Sequence, residues 1–325
     1  MVTAVVFILL GLALLMFGAD RFVDGAAALA ANLGVPPLLI GLTVVGFATS
    51  APELLVAASA SFAGNPSLAV GNAIGSNIAN IGLVLGVTAL VMPFAVQSRV
   101  LKREFPIMFA AMLLALFLFW DGQLDRTDGI FLVVGLLAMM ALTTWVGLKG
   151  NDPGPAIAPE PADINLTPEI PVFSTPRALL LSFIGLVCLI AGSDRLVTGA
   201  VTIATYFGVS DLIIGLTIVA IGTSLPELAA SVASAMKGES DIALGNVIGS
   251  NMFNILGVTA APALILPSVL EPDVMSRDIP IMFGLTIALY LMSLGKFGHI
   301  NRIHGFCLLL AFAVYQYFLY SSAVS

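Results

Sequence analysis

Charged residues are scarce in this sequence: they account for 10% of its 325 residues, whereas soluble proteins carry about a quarter. Histidine and cysteine occur twice each, which argues against a Cys/His metal site and against a disulfide framework. The sequence also lacks the HExxH, GxSxG and GxxxxGK(S/T) motifs, and it has no basic patch suited to nucleic acid. We therefore expect neither an enzyme nor a nucleic-acid-binding protein, and we expect no cofactor.

Apolar residues dominate instead, at 59% of the chain, with a mean hydropathy of +1.07. Runs of about 18 or more apolar residues recur throughout, and each is long enough to cross a bilayer as a helix. This pattern predicts an all-α protein of the lipid bilayer with about ten transmembrane helices. The expected spans are 3–31, 37–62, 68–93, 105–121 and 126–148, followed by 176–205, 211–236, 241–266, 279–295 and 303–321.

A proline-rich segment separates two groups of five expected spans. Residues 149–176 contain seven prolines and four acidic residues, a composition typical of an extended, solvated linker. The predicted organisation is therefore a first five-helix repeat at 1–148, a linker at 149–176 and a second five-helix repeat at 177–325.

The two groups of spans are related by an internal repeat. One constant offset along the chain aligns residues 46–53 with 220–227, and residues 71–80 with 245–254. In the second pair of blocks seven of ten positions are identical, including Gly, Asn and Ser, which general hydrophobicity does not preserve. Because each group has an odd number of spans, the second group must cross the membrane with opposite polarity. Such inverted repeats are typical of secondary transporters, whose substrates bind near the membrane midplane.

The distribution of lysine and arginine predicts the orientation. If both termini face outward, most basic loop residues lie on the cytoplasmic side, together with the linker, as the positive-inside rule requires. A bacterial inner (plasma) membrane is the expected location. The inner set is Arg99, Lys102, Arg103, Lys149, Arg177, Lys237, Lys296 and Arg302, and the outer set is Arg126 and Arg277.

A proline interrupts one span in each half, and a glutamate follows it directly. Pro52 removes a backbone donor in mid-span, so the carbonyls from about Gly46 to Thr49 are expected to lose their helical partners. Glu53 and its repeat mate Glu227 would lie deep in apolar segments, where a carboxylate is costly and indicates function. The alternative is a protonated or hydrogen-bonded glutamate that only joins two helices. Because a glutamate recurs directly after a proline in both halves, the functional interpretation is favoured.

The next span of each half carries a stripe of polar side chains. Its members are four residues apart and therefore share one helix face. A helix-packing seam is the alternative interpretation, particularly for the GxxxG steps in the same spans. Together with the glutamates, the stripes supply oxygen ligands, which suit calcium or sodium better than magnesium or soft metals. The stripes are Asn72, Ser76 and Asn80 in the first half and Asn246, Ser250 and Asn254 in the second.

At these residues the sequence resembles the cation/calcium exchanger superfamily, in particular the prokaryotic sodium/calcium antiporters. The likeness is carried by the motifs G-T-S-x-P-E and G-N-x-I-G-S-N within residues 41–90 and 215–264, with Ala48 replacing the first glycine in the first half. The ten-span organisation extends the resemblance over nearly the whole chain.

The resemblance implies a set of cation ligands. The calcium site would consist of the carboxylates of Glu53 and Glu227 and the backbone carbonyls of Thr49 and Thr223. Sodium sites would add Ser50, Ser224, Ser76, Ser250 and the carbonyls of Gly46 and Ala220, with Asn80 and Asn254 at the centre.

One departure from the family leaves the coupling ion open. Many sodium/calcium members carry Asp where this chain has Asn254, so the site would hold two carboxylates, enough to neutralise one calcium or two sodium ions. The resemblance implies a secondary active antiporter that exchanges calcium for sodium by alternating access. A proton-coupled calcium or cation exchanger and a passive cation channel are the alternatives.

The first and sixth spans are long and regular, and we expect them to slide against the other eight during transport. They carry charged residues at matching places, for which local pairing at an interface is favoured over a role in ion access. These residues are Asp20, Arg21 and Asp24 in the first span and Asp194 and Arg195 in the sixth.

Overall fold

The computed structural model describes residues 2–149, 173–207, 220–294 and 298–324, and most of these residues are helical, as predicted. The helices are α1 (Val2–Leu33), α2 (Pro37–Phe62), α3 (Pro66–Val91), α4 (Ser98–Lys102), α5 (Glu104–Leu118), α6 (Arg126–Lys149), α7 (Thr175–Tyr206), α8 (Ala220–Thr223), α9 (Leu225–Met236), α10 (Ser240–Ile265), α11 (Val274–Ser293) and α12 (Arg302–Val324). The strands are β1 (Phe94–Ala95), β2 (Gln123–Leu124), β3 (Ser268–Val269) and β4 (His299–Ile300).

Eight of the described helices are long and apolar enough to cross a membrane: α1, α2, α3, α6, α7, α10, α11 and α12. They coincide with eight of the expected spans to within about five residues. The fourth expected span, 105–121, corresponds to α5, whose 15 residues are fewer than the 20 or so of a typical crossing. Residues 211–219 of the seventh expected span and residues 150–172 of the expected linker lie outside the described residues.

Glycine, proline and asparagine explain the tight connections on either side of α2. Gly34 and Gly64 have φ angles of 62° and 85°, which residues with a Cβ rarely adopt. Asn65 caps α3, because its Oδ1 accepts a hydrogen bond from the N–H of Leu68 over 3.1 Å. Pro66 then occupies the start of the helix, where its missing N–H costs nothing. The chain can therefore reverse direction within three residues between consecutive helices.

α10 lies at the centre of the structure, and every residue from Ile242 to Phe253 is buried. It packs against the first part of α2, where glycines allow the two backbones to approach closely. A Cβ added at Gly245 would lie 2.7 Å from the carbonyl oxygen of Leu38, and one added at Gly249 would come even closer to the carbonyl oxygen of Leu42. This GxxxG step is therefore a packing seam, and it brings the polar stripe of the second half against the first half.

The outer helices expose large apolar side chains. Phe131 and Leu137 of α6, and Phe306 and Leu310 of α12, are each more than half exposed. An apolar surface of this extent requires an apolar partner, which the hydrocarbon interior of a membrane provides. The chain is accordingly an integral membrane protein.

α1 and α7 pack antiparallel along a seam of glycines that recur every seven residues. A Cβ added at Gly192 would lie 2.9 Å from the carbonyl oxygen of Gly11, and one at Gly18 would lie 2.9 Å from that of Gly185. Because seven residues make nearly two helical turns, these glycines share one face of each helix and keep the backbones in contact. We refer to these two helices as the α1–α7 pair.

Two antiparallel strand pairs connect loops of the first half to loops of the second. β1 pairs with β4, where Phe94 is opposite Ile300, and β2 pairs with β3, where Gln123 is opposite Val269. β1 and β3 are equivalent elements of the two halves, because residues 94–95 align with residues 268–269 at the offset that relates the repeats.

Candidate cation site

The two proline-containing motifs interrupt helices at matching positions. Ser50 has φ and ψ of −83° and 4° and interrupts α2, while Ser224 has −87° and 5° and separates α8 from α9. Glu53 and Glu227 lie in the first turn of the helical segment that follows each break. The N-terminus of a helix carries a partial positive charge, so a carboxylate is favoured there.

The expectation that every carbonyl from Gly46 to Thr49 loses its partner is wrong for Gly46. Its carbonyl oxygen accepts from the N–H of Ser50 and from the hydroxyl of Ser250, each over 3.2 Å. The reason is that Pro52 removes only the hydrogen bond to the carbonyl four residues before it, which belongs to Ala48.

Both carboxylates are enclosed. Glu53 is 1% exposed and Glu227 is 0% exposed. Oε1 of Glu227 accepts from the hydroxyl of Ser50 over 3.1 Å, whereas its Oε2 and both carboxylate oxygens of Glu53 have no hydrogen-bond partner among the described residues. Thr223 and Ser224 lie beside the Glu53 carboxylate, and Glu227 is close enough to repel it. The structure therefore brings the two glutamates and both helix breaks together.

The polar stripes of α3 and α10 contribute further buried groups. Asn80 and Asn254 are fully buried, and none of their four amide atoms finds a hydrogen-bond partner in the described part of the chain. The same holds for the hydroxyl of Ser76. π-Helical turns begin at both asparagines, Asn80–Leu85 and Asn254–Val258, and such wide turns are frequent at functional sites. The turn at Asn254 packs against Ala51–Phe62 of α2, the segment that contains Glu53.

Hydrogen bonds across the two halves hold the first break against α10. The hydroxyl of Thr49 lies 3.0 Å from Oδ1 of Asn246 and 3.4 Å from the hydroxyl of Ser250. At Gly46 an added Cβ would approach within 2.9 Å of the backbone nitrogen of Ser250, so glycine is needed at this position. Ala220, the repeat mate of Gly46, begins α8.

Two asparagines of the stripes hold the glutamates in place, a role that sequence reasoning missed. The amide of Asn72 donates to the backbone carbonyl of Glu53, and the amide of Asn246 donates to that of Glu227, each over 3.2 Å. Asn246 also donates to Ser231 over 2.9 Å. The signal was present in the sequence, since 19 residues separate asparagine from glutamate in both halves.

The candidate ligands are oxygen atoms, with the amide nitrogens of the two central asparagines beside them. Within the described ranges, no group of three or more His, Cys, Asp or Glu side chains could hold a metal ion. Cys188 and Cys307 are free thiols. The candidate site therefore offers buried carboxylates, hydroxyls and side-chain amides, whose oxygen atoms can replace the hydration shell of a hard cation.

Comparisons with known proteins give consistent matches. A family described as "Sodium/calcium exchanger protein" matches residues 3–145 and 177–321. The chain is 48% identical to CaxA of Alkalimonas amylolytica over 99% of its own length and 100% of that protein. It is 41% identical to the inner membrane protein YrbG of Escherichia coli over 98% of each chain. Among solved structures, the sodium-calcium exchanger NCX_Mj superposes with a TM-score of 0.81 at 33% identity, over 96% of each chain.

Proposed function

Because this chain belongs to the sodium/calcium exchanger family, a family of cation/calcium antiporters, we propose that it exchanges calcium for sodium as a secondary active antiporter. The observation that carries the proposal is the pair of buried carboxylates, Glu53 and Glu227, with three of their four oxygens unpartnered among the described residues. A buried charge without a partner is strongly destabilising. A cation bound between the two glutamates supplies the missing interaction.

The proposed ligands divide by ion. Calcium binds the two carboxylates and the carbonyls of Thr49 and Thr223, because two negative charges match one divalent ion. Sodium ions use the same carboxylates together with hydroxyls and carbonyls at either end of the site. The hydroxyl ligands are Ser50, Ser76, Ser224 and Ser250, the carbonyl ligands are those of Gly46 and Ala220, and Asn80 and Asn254 line the centre. At Gly46 the sodium ion would replace the hydroxyl hydrogen of Ser250 as a partner of the carbonyl oxygen.

The proposed architecture is ten transmembrane helices in two inverted five-helix repeats. The matching helix breaks at Ser50 and Ser224 support it, as do the matching π-helical turns and the equivalent positions of β1 and β3. The family match also falls into one segment in each half. We place both termini outside and residues 149–176 in the cytoplasm, from the positive-inside rule, and the name of YrbG supports the bacterial inner membrane.

The two carboxylates explain why transport would be an obligatory exchange. Enclosing unpaired charges in a low-dielectric interior costs several kcal/mol per ion, so the empty carrier rarely switches between its two orientations. A carrier that holds one calcium or two sodium ions is neutral at the site and can switch. Alternation between the two loaded forms produces exchange, and movement of the α1–α7 pair against the remaining helices exposes the site to each side in turn.

The decisive experiment is uptake of calcium-45 into proteoliposomes preloaded with sodium, with potassium, or with a proton gradient alone. Sodium coupling predicts uptake that requires internal sodium and disappears in Glu53→Gln. The matched control is Glu104→Gln, which replaces another buried carboxylate, at the start of α5. This control should retain exchange.

Other outcomes of this experiment would indicate one of the alternative functions. Uptake driven by the proton gradient alone would move the protein to proton-coupled exchange, and the carboxylates would then carry protons in place of sodium. A flux that needs no counter-ion and does not saturate would indicate a passive channel. If a correctly inserted Glu53→Gln variant exchanged calcium at the wild-type rate, the assignment of the site would be wrong.

A further inference from the structure

A cluster of charged side chains lies outside the cation site and joins the α1–α7 pair to the helix that carries Glu227. Lys237 directly follows α9, and its Nζ lies 2.8 Å from Oδ1 of Asp24 and 2.8 Å from the backbone carbonyl oxygen of Asp20. The Asp20 carboxylate also pairs with Lys237. We call this group the Lys237 bridge, and it is partly shielded, since the side chains of Lys237 and Asp24 are 28% and 19% exposed.

The charges of the bridge are balanced within the cluster. Arg21 lies 3.3 Å from the Asp20 carboxylate and 3.8 Å from that of Asp24, so two cations face two carboxylates. A neutral cluster attracts passing cations weakly, which argues against a role in ion access. The pairing instead fixes the distance between α1 and the end of α9.

The repeat does not reproduce the bridge on the opposite face. In the alignment of the two halves, Lys237 corresponds to Ala63 and Asp24 corresponds to Thr198, neither of which is charged. The mates of Asp20 and Arg21 are Asp194 and Arg195, which pair with each other over 3.5 Å. The ion-pair connection between the α1–α7 pair and a glutamate-bearing helix therefore has no equivalent at the matching positions.

Helix packing has the same asymmetry. α1 packs along α9, where Ala230 and Ala233 join the cluster of buried apolar residues that contains Ala19 and Phe22. Among the described residues, α7 does not pack to a comparable extent against Ala51–Phe62, the equivalent segment of α2. On the face where Lys237 lies, the α1–α7 pair is thus packed closely against the core. Between α7 and Ala51–Phe62, at the equivalent place in the other half, the packing is looser.

We propose that the Lys237 bridge is a one-sided latch that stabilises closure of the cation site on the face of Lys237. The proposal rests on the proposed antiport function and deepens it, because it identifies residues that set the preference of the carrier between its two orientations. With the orientation proposed above, this face is the cytoplasmic one. Partly shielded ion pairs of this kind favour one state by roughly three- to tenfold.

The test measures opening of the α1–α9 seam and needs no transport. In a background with Cys188→Ser and Cys307→Ser, the reporter is Ala233→Cys, which lies in the seam and is partly buried. A membrane-impermeant maleimide is applied to the Lys237 face of reconstituted protein without calcium or sodium. We expect Lys237→Met and Asp24→Asn each to accelerate labelling roughly three- to tenfold, and Lys237→Arg to keep it slow.

The control is Asp194→Asn, which changes the repeat mate of Asp20 and should leave labelling unchanged. Equal labelling rates in the reporter protein with and without Lys237→Met, in protein that elutes as a single folded species, would overturn the latch. So would effects of opposite sign in Lys237→Met and Asp24→Asn, because a purely electrostatic effect of the cluster should reverse when a positive charge is removed in one variant and a negative charge in the other. If the variants accelerate maleimide labelling but the protein does not exchange calcium, the result supports the latch and contradicts only the proposed antiport function.

Discussion

Ser50 donates its hydroxyl hydrogen bond to Oε1 of Glu227 over 3.1 Å, and both residues are fully buried. Ser50 forms the break in α2, whereas Glu227 lies in α9, 177 residues further along the chain. Hydrogen bonds to ionised groups are roughly twice as strong as those between neutral groups, particularly away from water. The position of the second carboxylate therefore depends on the first half of the protein.

Ser50→Ala should weaken calcium binding. The substitution removes the one hydrogen bond that the described residues make to the Glu227 carboxylate, so the carboxylate is no longer held in place for the ion. Because a hydrogen bond to a charged group contributes about 1.5–3 kcal/mol, we expect at least a tenfold rise in half-saturating calcium. Calcium-45 uptake as a function of calcium concentration measures this value. Ser61→Ala is the control, since Ser61 is also buried in α2 but donates to the carbonyl of Ala57. An unchanged calcium dependence in Ser50→Ala would contradict the prediction.

Asn246→Ala should destabilise the protein more than Asn72→Ala. Asn246 donates to the carbonyl of Glu227 and to Ser231, and its Oδ1 faces the hydroxyl of Thr49. Its loss leaves several buried polar groups without a partner, at a cost of about 2–3 kcal/mol. Thermal unfolding of the purified protein in detergent measures the difference. Asn72→Ala is the matched control because it removes the equivalent bond to Glu53, and equal midpoints for the two variants would argue against this account.

Asn254→Asp should make calcium binding stronger and dependent on pH. Asn254 is fully buried with both amide atoms unpartnered among the residues described, so an aspartate there adds a third negative charge to the site. The ionised variant should bind calcium roughly tenfold more tightly, which corresponds to about 1.4 kcal/mol. A protonated aspartic acid is neutral like asparagine, so variant and wild type should converge as pH falls. Calcium affinities measured at several pH values test this, and a constant ratio across the range would contradict it.

Gly192→Ala should loosen the α1–α7 pair. An added Cβ would lie 2.9 Å from the carbonyl oxygen of Gly11, and overpacking of this kind costs about 1–3 kcal/mol. Gly284→Ala is the control, because nothing packed against its helix in the described part of the chain lies within 4 Å of the added Cβ, and alanine favours a helix by up to about 1 kcal/mol. Thermal unfolding in detergent should give a lower midpoint for the first variant and an unchanged or higher one for the second. The reverse order would show that the seam does not limit stability.

The helical character of the chain and the position of most spans could be predicted from hydropathy, because a membrane-crossing helix needs a long apolar run. The length of α5 could not be predicted from hydropathy. Neighbouring helices cover its buried residues Phe105 and Met108, so this helix does not need the full length of a lipid-exposed crossing. The hydrogen-bond partner of the Gly46 carbonyl in the other half could not be predicted from the sequence either. The hydroxyl of Ser250 reaches it only because Gly249 allows α10 to approach α2 closely.

The sequence by itself determined the membrane character, the repeat and the chemical identity of the candidate ligands, because these follow from composition and from motifs that recur at one constant offset between the halves. Only the tertiary structure decided which groups meet across the two halves. Ser50 contacts Glu227, and Asn246 faces Thr49, through an approach of α10 to α2 that depends on close packing. The Lys237 bridge likewise joins residues 213 positions apart. Hydropathy and motif spacing describe each helix alone, whereas contacts of this kind depend on how helices distant in the chain pack together.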